Sequence, residues 1–187
     1  MNFASDNFSV NGVYSNVTWY GRGHRENYSD CQTASPVGLY SKNIKDTYTI
    51  FDMPQESGNH EANSFVQLVS DNGEGLCIVG CDKFCFSYRD VTDEALEKAL
   101  HKNEVETSGN NHLYIDYKMR GLGSHSCGPE PEKEFEFLPH RFDFAFVMGA
   151  CLNTEELLKL KRMSYGVATK AYSDEYQKQD EGELQLL

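Results

Sequence analysis

The residues with the widest chemical repertoire in this 187-residue chain lie between Tyr114 and Pro129. Tyr114, Ile115, Asp116 and Tyr117 alternate as a strand should. They run into Gly121-Leu122-Gly123-Ser124-His125-Ser126-Cys127-Gly128-Pro129. Two hydroxyls, an imidazole and a thiol on a glycine-rich loop offer hydrogen bonds to a ligand or, through His125 and Cys127, nucleophilic or metal chemistry. Glycine lets another group approach the backbone closely, so the same loop also fits a tight structural crossing. A metal set drawn from His24, Cys31, His125 and Cys127 has suitable ligand types but needs distant loops to converge, and no metal or other cofactor is assigned.

Two further groups invite chemistry. Glu26 and Asp30 lie in the polar segment His24-Arg25-Glu26-Asn27-Tyr28-Ser29-Asp30. Beside Arg22 and Arg25, they read as a structural ion-pair network rather than a catalytic acid and base. Cys77, Cys81 and Cys85 recur every four residues, which is not the knuckle spacing of a zinc ribbon. Six cysteines in a chain of this length read as small buried hydrophobes in a reducing compartment.

The elements that must position these groups are strands. Aromatic residues make up 12 % of the chain, with eleven Tyr and eleven Phe, and such side chains suit pleated, half-buried surfaces. Val13–Tyr20 predicts a strand ending at Gly21-Arg22-Gly23, with Trp19 in the core. Strand signals follow at Leu39-Tyr40 and Thr47–Phe51, the latter closed by a loop bracketed by Pro54 and Gly58. Asn63–Ser70, Asn72-Gly73 and Leu76–Val79 read as a hairpin, with a second reversal at Gly80–Lys83 before Phe84–Tyr88. Residues 1 to 12 carry no strong pattern.

Thr92 can cap a short helix reaching His101, with Leu96 and Leu100 on one face and Glu94 paired to Lys98. Phe135–Leu138 and Phe142–Val147 alternate as a final hairpin with one buried aromatic face. Beyond Gly149, Asn153-Thr154-Glu155-Glu156 opens an amphipathic helix, and Tyr172–Leu187 predicts a frayed acidic tail. The organisation is therefore residues 1–149 as an all-β unit and 150–187 as a helix and tail. A net charge of −12 excludes a nucleic-acid backbone as the natural partner. Without a long apolar run or a signal-like start, the chain reads as soluble and cytoplasmic, away from membranes.

Four ordered segments resemble the C-terminal domain, or separately encoded small chain, of the β-galactosidases of glycoside hydrolase family 2. They are Trp19–Gly23 with Glu26–Asp30; Pro54-Gln55-Glu56-Ser57-Gly58-Asn59, with Ser57 where asparagine is usual; Phe84–Ser87 through the helix to His101; and Asp116, Met119 and Gly121–Pro129. Together they span about residues 8 to 147.

The resemblance implies a partial antiparallel β supersandwich of the galactose-mutarotase-like kind. It implies hydrolysis of terminal β-galactosides by a separate TIM barrel, no catalytic residue in this chain, and a sugar-facing rim at Ser124, His125, Ser126 and Cys127. Cys127 stands where the family places a tryptophan and lacks the flat area for stacking on a pyranose. A retaining glycosidase needs two carboxyl groups about 5 Å apart, and a barrel needs about 250 residues. This chain alone is accordingly expected to be inactive. Expected partners are the barrel-containing domain or subunit, galactosides in the assembled enzyme, and other copies of the chain, since a partial sandwich must cover its open face with a neighbour or its own helix. The rival readings are a free-standing lectin-like carbohydrate-binding sandwich and an interaction domain whose sugar site has decayed.

Overall fold

Period-two alternation buries Val17 and Trp19 on one side of a strand while Tyr20 faces out, and the same rule builds most of this protein. The computed structural model describes residues 3–11, 14–123, 132–133 and 142–184. In chain order the elements are β1 (Phe3–Asn11), β2 (Asn16–Arg22), β3 (Val37–Asn43), β4 (His60–Val69), β5 (Gly75–Arg89), α1 (Asp93–Lys98), β6 (Asn110–Lys118), β7 (Phe146–Ala150) and α2 (Thr154–Leu184). The strands pair antiparallel in the order β1-β6-β5-β4-β2-β3, with β7 also on β5. The all-β architecture, the short internal helix and the C-terminal helix are as the sequence predicts.

β5 is the spine. Its first part, Leu76–Gly80, pairs with β7, and its last part, Cys85–Arg89, pairs with β6. The reversal expected at Gly80–Lys83 is an irregularity inside one long strand. A Cβ at Gly80 would run into the Asp82 carbonyl oxygen, so the kink needs glycine, but the chain continues forward. One apolar core gathers Val10, Trp19, Val66, Leu68, Phe84, Phe86 and Ile115 from β1, β2, β4, β5 and β6. Trp19 packs on Tyr40, His60 and Phe86, and its indole N–H donates to the Arg22 carbonyl at 3.0 Å.

Other expectations are corrected. β1 lies in the stretch that carried no pattern, and it pairs with β6. Thr47–Phe51 is not a strand, and Ile44–Asp46 ahead of it is a 3₁₀ turn. Helix α1 is capped by Thr92 as expected but ends at Lys98, because Ala99 is extended. Leu100 is therefore exposed while Leu96 is buried. Phe135–Leu138 lie outside the described residues, and the strand that follows begins only at Phe146. The helix predicted from Asn153 is present, and it continues to Leu184 where a frayed tail was expected. Asn153 accepts the Glu156 N–H at 3.0 Å, while the Glu156 carboxylate takes the Leu152 N–H at 2.6 Å.

α2 covers the second face of the sheet. Leu157 and Leu160 pack with Phe65, Cys77, Val79, Val147 and Cys151, so the chain's own helix shields this apolar surface. Of the cysteines described, Cys77, Cys85 and Cys151 are buried, Cys81 is half-buried and Cys31 is exposed, all as free thiols. No helix among the described residues is long and apolar enough to cross a membrane.

Candidate functional site

Two loops with unusual polar content, 22–31 and 52–59, meet at the β2/β4 end of the sheet and close on each other through side-chain amides. The Asn27 N–H donates to the Asn59 carbonyl at 2.8 Å, and the Asn59 amide donates to the Asn27 carbonyl at 2.8 Å. The Asn27 side-chain oxygen accepts the Glu61 N–H at 2.9 Å. Glu26 completes the clasp by accepting from the Ser57 hydroxyl at 2.9 Å and the Gly58 N–H at 2.7 Å. Gly58 has φ +91°, and a side chain there would press on Tyr48, so glycine is required. Glu26 and Asp30 are thus held by hydroxyl and backbone donors, not by the arginines the sequence suggested. Arg22 instead donates to the carbonyls of Gln32 and Ser35.

Beneath the clasp sits a buried cation. Arg89, at the end of β5, reaches Asp93 at 2.5 Å, Glu56 at 3.4 Å and the Ser57 carbonyl at 3.3 Å, and its guanidinium lies 4.6 Å from the Tyr114 ring centre. Burial opposes its charge, but Glu56, Asp93 and Tyr114 outweigh that, and its pKa lies above the ordinary arginine value. Glu56 is the weaker partner. Burial, joined by the Asp93 and Asp116 carboxylates, lifts its pKa despite Arg89. The Tyr28 phenol is likewise raised, first by burial and then by Glu56 and Glu26.

His60 is neutral: burial drives its pKa down to about 3, and its Nδ1–H donates to the Gly58 carbonyl at 2.9 Å while the ring stacks on Phe86. Glu61, the next residue, is pushed up to about 7 by burial, with Asp30 adding to the effect and Arg22 and Lys118 opposing it.

The loop that carries the predicted sugar-facing residues leaves this region. Ser124, His125, Ser126 and Cys127 lie outside the described residues, but the turn leading to them is fixed. The Gly123 N–H donates to Asp30 at 2.8 Å, and a Cβ at Gly121 would overlap the Asp30 carboxyl group. Met119 packs with Tyr28 and Cys85 just before that turn. Of the four metal ligands weighed from sequence, His24 and Cys31 are exposed and the other two lie outside the described residues. Among the described residues no His, Cys, Asp or Glu group of three or more is arranged to hold a metal ion.

Arg89 and Glu61 are the groups that sequence reasoning passed over, and Glu56 was read only as part of the Pro54–Asn59 segment. The signal for Arg89 was its position at the end of the apolar run Phe84–Tyr88, where a buried cation demands carboxylate partners. Those partners come from a loop and a helix that spacing alone does not join.

Comparison with known proteins places these segments in a common frame. The family model described as beta galactosidase small chain matches residues 6–148. The chain is 31% identical over 130 residues to a β-galactosidase of Actinobacillus pleuropneumoniae, covering 70% of this chain and 12% of that protein. It is 29% identical over 134 residues to one from Staphylococcus xylosus and 29% over 140 residues to one from Kluyveromyces lactis. Those matches cover 72% and 74% of this chain and 13% of each relative. The chain therefore matches about an eighth of the length of these proteins.

Proposed function

The chain belongs to the β-galactosidase small-chain family, and on that footing we propose that it is the C-terminal domain or small subunit of a β-galactosidase of glycoside hydrolase family 2. Residues 1–149 act as its mutarotase-like sandwich, to which the helix Thr154–Leu184 is appended. The observation that carries this reading is the family match over 6–148 in a chain corresponding to about an eighth of its relatives. The catalytic acid and nucleophile belong to a barrel-containing partner domain or subunit. The candidate carboxylates here are committed to the fold: Glu26 to Ser57 and Gly58, Glu56 to Arg89, and Asp30 to Gly123.

In the assembled enzyme Ser124, His125, Ser126 and Cys127 form part of the rim of the sugar site. Ser124, His125 and Ser126 hydrogen-bond sugar hydroxyls, and Cys127 provides a small apolar contact instead of a stacking ring. The assembly acts on terminal β-galactosides in the cytoplasm.

The test is complementation. A β-galactosidase chain lacking its own small-chain domain is mixed with this protein, and nitrophenyl β-galactoside hydrolysis and co-elution are measured. Activity that depends on both chains is expected. Galactose binding by this chain with neither complementation nor co-elution would replace the proposal with the lectin-like reading.

A further inference from the structure

We propose that Lys83 on β5, Lys161 on α2 and the hydroxyl of Ser64 on β4 form a binding site for a phosphate or sulfate group. The site is built on the irregularity in β5. Asn63 pairs with Phe84 and Phe65 with Val79, so Ser64 alone stands opposite the whole excursion Gly80–Lys83. Bulges of this kind re-aim side chains out of the regular ladder. The excursion is pinned from two sides: the Cys81 N–H donates to the Ala145 carbonyl at 3.0 Å, and the Lys161 ammonium donates to the Gly80 carbonyl at 3.2 Å. α2 is itself seated on the sheet through Leu157 and Leu160, so both lysines leave from a fixed backbone.

In a chain with 29 acidic residues against 17 lysines and arginines, a surface lysine has carboxylates to spare. Yet the ion pairs among the described residues use Arg89, His101 and Lys102, and neither Lys83 nor Lys161 has a carboxylate partner there. Both hold neutral groups instead. Lys83 donates to the Ser64 hydroxyl at 2.5 Å and lies 5.8 Å from the centre of the Tyr20 ring, while Lys161, besides Gly80, lies 4.8 Å from the centre of the Tyr165 ring. An ammonium group has three donors, so each lysine keeps N–H groups for a further acceptor, and Ser64, whose oxygen accepts from Lys83, keeps its own O–H to donate. The two charges also feel each other: burial first, and then the Lys161 charge, lower the Lys83 pKa. A bound anion relieves that repulsion. Ammonium groups act as point charges suited to a tetrahedral oxyanion, whereas the planar fork of arginine is the match for a carboxylate. The exposed Tyr20 and Tyr165 rings supply an apolar flank, so an ester-borne group fits as well as the free ion. Lys161 lies beyond residues 6–148 that match the family model, so the appended helix completes the site.

The experiment titrates inorganic phosphate, inorganic sulfate and phenyl phosphate into the full chain, with chloride holding the ionic strength constant, and follows the backbone amides of Cys81, Asp82, Lys83 and Lys161 by NMR. Saturable shifts are expected there. Lys83→Gln and Lys161→Gln should each weaken binding about tenfold or more, and the double variant should abolish it. Ser64→Ala, which keeps both charges, should weaken it less. An unchanged urea midpoint for each variant without the anion shows that the fold is retained. Tighter binding of phenyl phosphate, with shifts at Tyr20 and Tyr165, supports the site and makes an ester its ligand, while equal affinity for inorganic phosphate supports it with the free ion. Shifts that do not saturate, or that are as large in the double variant as in the wild type, would overturn the site. The measurement needs no partner chain, so its outcome is separate from that of the complementation test.

Discussion

Glu61→Gln should remove a pH-dependent burden that the fold places on β4. Glu61 is only 9 % exposed, sits beside Ala62 at φ +58°, and has its N–H bound to the Asn27 side chain. That backbone kink coincides with the register irregularity between His60 and Asn63, and it takes the Glu61 side chain out of the regular alternation. Burial, together with Asp30, outweighs Arg22 and Lys118 and lifts the carboxyl from 4.5 to about 7.

The folded state therefore binds this proton more tightly than the unfolded chain, so stability is greatest below the unfolded pKa and falls as pH rises through the folded one. At about 1.4 kcal/mol per pH unit, a displacement from 4.5 to about 7 corresponds to about 3 kcal/mol. Glutamine has nearly the same shape as protonated Glu61 and does not titrate. Urea unfolding, followed through the buried Trp19, should give closely similar stabilities at about pH 4, with the variant gaining about 3 kcal/mol over wild type by about pH 8. Because other carboxylates titrate in both proteins, the difference between the two curves isolates Glu61. Parallel stability profiles across that range would refute the placement of Glu61 in a burial-dominated site.

Arg89→Met should destabilise the protein by about 3 kcal/mol or more, since it strips the counter-charge from Glu56 beneath the clasp. Adding Glu56→Gln should recover part of that loss in the same urea assay. Asn27→Ala should cost about 1–3 kcal/mol in urea unfolding because it strands the Glu61 N–H and the Arg25 carbonyl, and Asn59→Ala a similar amount because it strands the Asn27 carbonyl. Leu160→Ala should cost about 2–4 kcal/mol and increase binding of a hydrophobic dye, since Leu160 packs over Gly149 and with Cys77 and Val79.

Elements whose own residues repeat at the right period were legible. Trp19, the Asn72-Gly73 turn, β6 and the start of α2 announce themselves locally. β1 does not, because among its described side chains only Phe8 and Val10 pack in or against the core and its order comes from pairing with β6. β5 was divided in two because Gly80-Cys81-Asp82-Lys83 has the composition of a turn. What keeps it one strand is partner exchange, from β7 to β6, which no local window contains. Thr47 has a β-former's side chain, yet its hydroxyl bridges the Ile44 and Tyr88 carbonyls at 2.6 and 2.7 Å and ties the chain into a turn. The site shows the same limit: Arg89 and Glu56 are 33 residues apart, and only the fold makes them an ion pair.

The clasp also changes what the resembling segments mean. Glu26-Asn27-Tyr28 and Pro54–Asn59 are two separate polar loops when read along the chain, but in space several of their polar groups bond each other. Ser57, which stands where the resemblance places an asparagine, ties two segments together. Its hydroxyl donates to Glu26 at 2.9 Å while accepting the Thr49 N–H at 2.8 Å, so a single oxygen meets both demands that an amide would share between two atoms. Substitution at such a position preserves the platform without informing on sugar binding. Cys127 is a different case, because a thiol cannot reproduce the face of an aromatic ring. On the proposed sugar-facing role of Cys127, Cys127→Trp should lower KM in the complemented enzyme where Ser57→Asn leaves it unchanged.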